Sequence, residues 1–134
     1  SLQFRAFSDA FSTLDELRAH GLRLVATSNW DCSLPDVLDR VGLFPMLDAV
    51  VYSAQIGASK PDQRVFDAAL RKANCSAGCA AHVGDSVDND VVGAQRAGIC
   101  AVLIQREEDD HELPPQAHVK TIRTLAELPA LIFK

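Results

Sequence analysis

The stretch Ala80-Ala81-His82-Val83-Gly84-Asp85-Ser86-Val87-Asp88-Asn89-Asp90-Val91-Val92-Gly93-Ala94 decides how the rest of the chain is read. Its first residues form a short β-type run that stops at Gly84-Asp85, as a buried strand stops at a loop. From Val87 to about Ala97 the pattern becomes helical, Gly98 closes it, and Cys100-Ala101-Val102-Leu103-Ile104 is another uninterrupted apolar run. Strand, helix and strand in that order make a βαβ unit, which implies parallel pairing.

The same alternation continues in both directions. Upstream, Phe7, Phe11, Leu14 and Leu17 recur at helical spacing until His20-Gly21, and Leu22 to Thr27 reads as a strand ending at Ser28-Asn29. Leu34, Val37, Leu38 and Val41 place an apolar stripe on a second helix that Gly42 ends. Ala49 to Tyr52 is a further strand. Pro61 suits the first turn of a helix carrying Val65, Phe66, Ala69 and Leu70 on one face. Downstream, Arg106 to Pro115 is an acid-rich loop, Val119 to Ile122 a short strand, and Thr124 with Glu127 a capping box. The expected fold is α/β, a three-layer Rossmann-like parallel sheet flanked by helices. In such sheets, groups just beyond the carboxyl ends of strands converge on one crevice, and Ser28, Lys60 and Asp85 each stand at or soon after such an end.

Composition narrows the function classes. The 134 residues suffice for one domain, and 48% hydrophobic with 23% charged residues is ordinary for a globular chain. Thirteen basic against 18 acidic side chains give a net charge of −5, which argues against nucleic acid as a partner. No apolar run approaches the roughly 20 residues that span a bilayer, so no membrane role is expected. Cys32, Cys75, Cys79 and Cys100 are scattered. Only Cys75 and Cys79 are close, without a second pair, so reduced thiols in a cytoplasmic protein are expected rather than a zinc site.

Three segments carry a specific resemblance. Thr27-Ser28-Asn29-Trp30-Asp31 after an apolar run, Ser59-Lys60-Pro61-Asp62 followed by Val65-Phe66, and His82 to Ala94 resemble, in order and spacing, the second, third and fourth motifs of the haloacid dehalogenase-like (HAD) hydrolase superfamily. They are similar to the subfamily whose helical cap is inserted between the first and second motifs. The resemblance runs from about Phe7 to about Gln105. It implies a Mg²⁺-dependent phosphatase acting on a small phosphorylated metabolite, with Ser28 and Lys60 as catalytic residues and Ser28, Asn29 and Lys60 binding the substrate.

The implied chemistry is physically coherent. Phosphoryl transfer spreads charge over three oxygens, so it rests on positioning and electrostatic stabilisation. The Ser28 hydroxyl would donate to one oxygen, and Lys60 would place a compact positive charge beside the group. Asp85 would hold Mg²⁺, and Asp90 would complete or orient that shell. His82 inside a strand reads as a packed or hydrogen-bonded core histidine. Trp30 reads equally as a crevice wall or as a cover for the sheet edge. His111 and His118 beside the acid-rich loop have no evident task.

The family's first motif, Asp-x-Asp-x-Thr on the central strand, supplies the nucleophile and the general acid. The nearest stretch, Asp9-Ala10-Phe11-Ser12-Thr13-Leu14, has Phe11 in the acid's place, follows no strand, and lies too close to Ser28 to admit a cap. Asp9 is therefore read as a helix N-cap. On this reading residues 1–134 are a partial core domain, without the first strand and the cap, and the isolated chain is inactive. Two strands would then expose edges, a liability that a strand-swapped dimer or a complementary N-terminal chain would relieve. The alternatives are a non-catalytic interaction module and a metal-free 2-haloacid dehalogenase, against which Asp85 and Asp90 count. A phosphoglucomutase-like transfer needs the cap to judge.

Overall fold

The computed structural model describes residues 8–30, 34–40, 42–105 and 119–133. In chain order the main elements are α1 (Ser8–Ala19), β1 (Val25–Ser28), α2 (Leu34–Arg40), β2 (Ala49–Tyr52), the single turn α3 (Ser53–Ile56) and α4 (Gln63–Ala73). After them come β3 (Ala81–Gly84), a π-helical segment (Val87–Val92), α5 (Gly93–Arg96), β4 (Cys100–Ile104), β5 (Lys120–Ile122) and α6 (Leu128–Ile132). Among the described residues every strand pairing is parallel, and the strands form two groups, β1 with β2 and β3–β4–β5. The expected α/β layering is present. Among the described residues no strand joins β1 to β3, and those two strands lead into the Ser28 and Asp85 segments.

β4 shows why the sheet needs helices on both faces. Ala101 and Leu103 pack with Phe66, Val91, Ala94 and Ile99. Val102, one residue between them, points the other way into Leu17, Ile122 and Leu128. The period-two alternation of a strand therefore buries a continuous apolar run on two sides. A third cluster joins Val51 of β2 to Val65 and Ala68 of α4. Phe66 and Leu103 are 1% and 0% exposed, and full burial of such a side chain stabilises by about 1.5–3 kcal/mol.

Several boundaries differ from the sequence reading, each for a local reason. β1 begins at Val25 rather than Leu22, because the Leu24 N–H donates to the Asp48 carboxylate at 2.7 Å and the Leu24 carbonyl accepts from the Asp48 N–H at 2.7 Å. Pro61 lies ahead of α4, not in its first turn. Asp62 is the N-cap, its carboxylate accepting from the Arg64 N–H at 2.9 Å. Asp9 lies inside the first turn of α1 rather than ahead of it. The helix read over Val87 to Ala97 is wound as a π-helix for its first six residues and as an α-helix only from Gly93. Gly21 and Gly42, both at φ +83°, follow α1 and α2 at the predicted ends. The Glu127 carboxylate accepts from the Thr124 N–H at 3.0 Å, as a capping box requires. Phe7, Val41, Cys32, the Arg106 to Pro115 loop, His111 and His118 lie outside the described residues.

Candidate active site

Asp90 is the centre of the site. Ser86 starts the π-helical segment, its hydroxyl accepting from the Asn89 N–H at 3.1 Å. The wide turn sets Asp90 directly over the end of β3. A Cβ on Gly84 would stand 2.1 Å from Asp90 Cγ, so the close approach needs glycine there. Gly93 serves a similar end, since a Cβ on it would stand 2.6 Å from the Phe66 ring and 3.1 Å from Pro61. The two glycines seat the acidic helix against β3 on one side and the start of α4 on the other.

The Asp90 carboxylate has three donors. The Lys60 ammonium donates to Oδ1 at 2.5 Å, His82 Nε2 to the same oxygen at 2.9 Å, and the Ser86 N–H to Oδ2 at 3.1 Å. The side chains of Lys60, His82 and Asp90 are only 11%, 13% and 5% exposed. Burial pushes the Asp90 carboxyl up, but hydrogen bonds from His82, Lys60 and Ser86, with the Lys60 charge, outweigh it and hold it far below the usual carboxylate range. Asp90 is thus an anion whose capacity is largely taken up within the protein. His82 also meets the Phe66 ring edge-on at 5.1 Å. It is a hydrogen-bonded core histidine that touches the site.

Lys60 is held at its other end by Asn29. The Lys60 N–H donates to Asn29 Oδ1 at 2.7 Å, and Asn29 Nδ2 donates to the Lys60 carbonyl at 3.2 Å. Asn29 follows Ser28, the last residue of β1, which is half-buried and in register with Tyr52 of β2. Asp85 follows β3 and is exposed, and its carboxylate makes neither hydrogen bond nor ion pair among the described residues. Beside Asn29 lies a shallow, open depression lined by Trp30, Ser53, Ala54 and the Gly57–Ser59 turn. Trp30 therefore lies against this open, shallow depression. Its carbonyl accepts from the Ser53 hydroxyl at 2.8 Å, which ties the start of α3 to the end of β1.

Of the residues singled out in the sequence, Asn29, Lys60 and Asp90 are brought into one hydrogen-bonded chain. Ser28 adjoins it at Asn29, and Asp85 adjoins it at Ser86. The sequence reading passed over Ser86 and Gly84. Ser86-x-x-Asn89 carries the signal of an N-cap, whereas nothing local announces that Gly84 must admit a carboxylate. As a donor set for a hard cation, Asp85 offers a free carboxylate and Asp90 an already engaged one. Among the described residues no group of three His, Cys, Asp or Glu side chains is gathered. This suits an ion that takes one carboxylate directly from this part of the protein and keeps its waters.

The family profile for haloacid dehalogenase-like hydrolases matches residues 2–104. The bovine haloacid dehalogenase-like hydrolase domain-containing protein 3 is 34% identical over 127 residues, covering 87% of this chain and 51% of that protein. The glyceraldehyde 3-phosphate phosphatase of Methanothermobacter thermautotrophicus is 32% identical over 138 residues, covering 96% of this chain and 59% of its own. A crystal structure of an HAD phosphatase from Thermococcus onnurineus superposes with a TM-score of 0.89 at 30% identity, over 95% of this chain and 58% of that one. The chain spans a little over half the length of these relatives. By the profile match and by its likeness to these relatives, the chain belongs to the haloacid dehalogenase-like hydrolase family.

Proposed function

We propose that this chain is the core part of a phosphohydrolase that removes the phosphoryl group from a small phosphomonoester. The observation that carries the reading is the Lys60 ammonium held on Asp90 at the carboxyl ends of the strands, one loop away from the free Asp85 carboxylate. In this reading the Ser28 hydroxyl and neighbouring backbone N–H groups donate to the phosphoryl oxygens. Lys60 sets its charge beside them. Asp90 orients Lys60 and stays out of the direct coordination shell, while Asp85 holds Mg²⁺. When bound, the cation neutralises charge on the phosphoryl oxygens. The attacking carboxylate comes from an N-terminal segment of the same protein or of a companion chain. β1 and β3 each have one hydrogen-bonded neighbour among the described residues, so each offers a second edge to such a segment, or to the same segment of a second copy.

The test is hydrolysis of p-nitrophenyl phosphate with and without Mg²⁺, on the 134-residue chain and on a form completed by an N-terminal segment carrying an aspartate nucleophile. Turnover is expected only from the completed form, only with Mg²⁺, and not from its Asp85→Ala variant. Robust turnover by the 134-residue chain alone would overturn the assignment of the nucleophile, and turnover by completed Asp85→Ala would overturn the metal role.

A further inference from the structure

We propose that Asn29 is a positioning residue for Lys60: its side-chain amide holds both backbone polar groups of Lys60 and so keeps the ammonium on Asp90. Lys60 lies between α3 and α4, where no strand ladder or helix takes up its N–H and carbonyl. Asn29 satisfies both, at 2.7 Å and 3.2 Å, as an adjacent strand would. The amide is suited to this because it carries an acceptor and a donor side by side. A carboxylate offers only the acceptor, and a serine is too short to reach both groups.

The anchor itself is fixed. Asn29 stands one residue beyond β1, whose four residues are paired in register with β2. The other end of Lys60 is tied to the β3 side of the molecule through Asp90. One side chain therefore bridges the two strand groups, held by its backbone on the first and by its ammonium on the second. The two backbone bonds take one N–H and one lone pair of the exposed Asn29 amide, and through them its side chain acts on Lys60. What Lys60 is held for rests on the phosphohydrolase reading; that it is held by Asn29 does not.

The experiment compares the 134-residue chain with its Asn29→Ala and Asn29→Asp variants. Hydrogen exchange of the Lys60 amide is followed by NMR, and acylation of lysine amines by limiting acetic anhydride is followed by peptide mass spectrometry. Asn29 is exposed, so neither variant opens the core. In Asn29→Ala the Lys60 amide is expected to exchange at least about tenfold faster. The Lys60 amine is expected to be acylated several times faster, with Lys72 and Lys120 unchanged. Asn29→Asp, which keeps the acceptor and loses the donor, is expected to fall between. Unchanged Lys60 acylation in Asn29→Ala overturns the proposal whether or not amide exchange rises, because the clamp would then not set the ammonium. Titration of the parent chain with inorganic phosphate, followed on Lys60 resonances, tests the other reading. Absence of binding there counts against the phosphohydrolase and leaves the acylation result standing.

Discussion

Replacing Lys60 by methionine removes the ammonium and keeps most of the stem that carries it. The two side chains are 11% and 5% exposed and meet at 2.5 Å, so both charges have given up most of their water. Removing one partner of a buried pair costs about 3–5 kcal/mol, because the other is left uncompensated. Asp90 would keep two donors, His82 Nε2 and the Ser86 N–H, which brings the expected loss down to about 2–3 kcal/mol. Asp90→Asn leaves the ammonium without its counter-charge and should cost a similar amount. If each side chain depends on the other, the double variant loses less than the sum of the singles, by about 1–3 kcal/mol. Urea unfolding at pH 7, followed by circular dichroism, measures all four corners of the cycle. A loss of 2–3 kcal/mol moves the midpoint by about 0.7–3 M for a slope of about 1–3 kcal/mol/M. Additive losses, or a Lys60→Met chain as stable as the parent, would refute the claim that these are mutually dependent, desolvated charges.

Three further outcomes follow from the packing and the caps. Gly93→Ala drives a methyl into the Phe66 ring at 2.6 Å, and thermal unfolding should report a loss of about 1–3 kcal/mol. Asp62→Ala removes the N-cap of α4 and should cost about 1 kcal/mol by urea unfolding, without disturbing the Lys60–Asp90 pair. The Asp48 carboxyl is held below its usual range by the Leu24 N–H, against the effect of burial, with help from Arg18. A carboxyl lowered in the folded state contributes fully above its unfolded pKa of about 3.9 and loses that contribution as pH falls through the lower folded value. The stability gap between the parent and Asp48→Asn should therefore be present at neutral pH and shrink below about pH 4. A gap that stays constant through that window would show the Leu24 contact to be indifferent to charge.

What could be read from residues alone was what local pattern encodes. Ala49–Tyr52 and Cys100–Ile104 are apolar runs with turn signals on both sides, and they are strands at the predicted positions. Leu22 to Leu24 look just as strand-like. There the backbone of Leu24 is taken up by Asp48, a partner 24 positions away that no local window contains. Val87 to Val92 carries an apolar period that fits a helix, but six residues cannot separate a π-helical from an α-helical winding. The positions of Ser28, Lys60 and Asp85 at or soon after strand ends were legible from topology, and Asp90 from the family motif. The target of Asn29 was not. An Asn after a strand is equally a turn former or a ligand to substrate, and its contact with Lys60 lies 31 positions away, beyond α2, β2 and α3.

The π-helical segment leaves a length dependence at the heart of the site. In it the Val91 N–H reaches back five residues to the Ser86 carbonyl, one more than an α-helical turn allows. Dropping a single residue between Ser86 and Asp90 would let the segment relax into ordinary α-helix without upsetting its apolar pattern. Each residue of an α-helix turns by about 100°, so the carboxylate would swing off Gly84 and away from Lys60 while the fold around it survived. Relatives one residue shorter in this turn would keep the whole architecture and present a different constellation at its rim, which makes loop length a way for one scaffold to change chemistry.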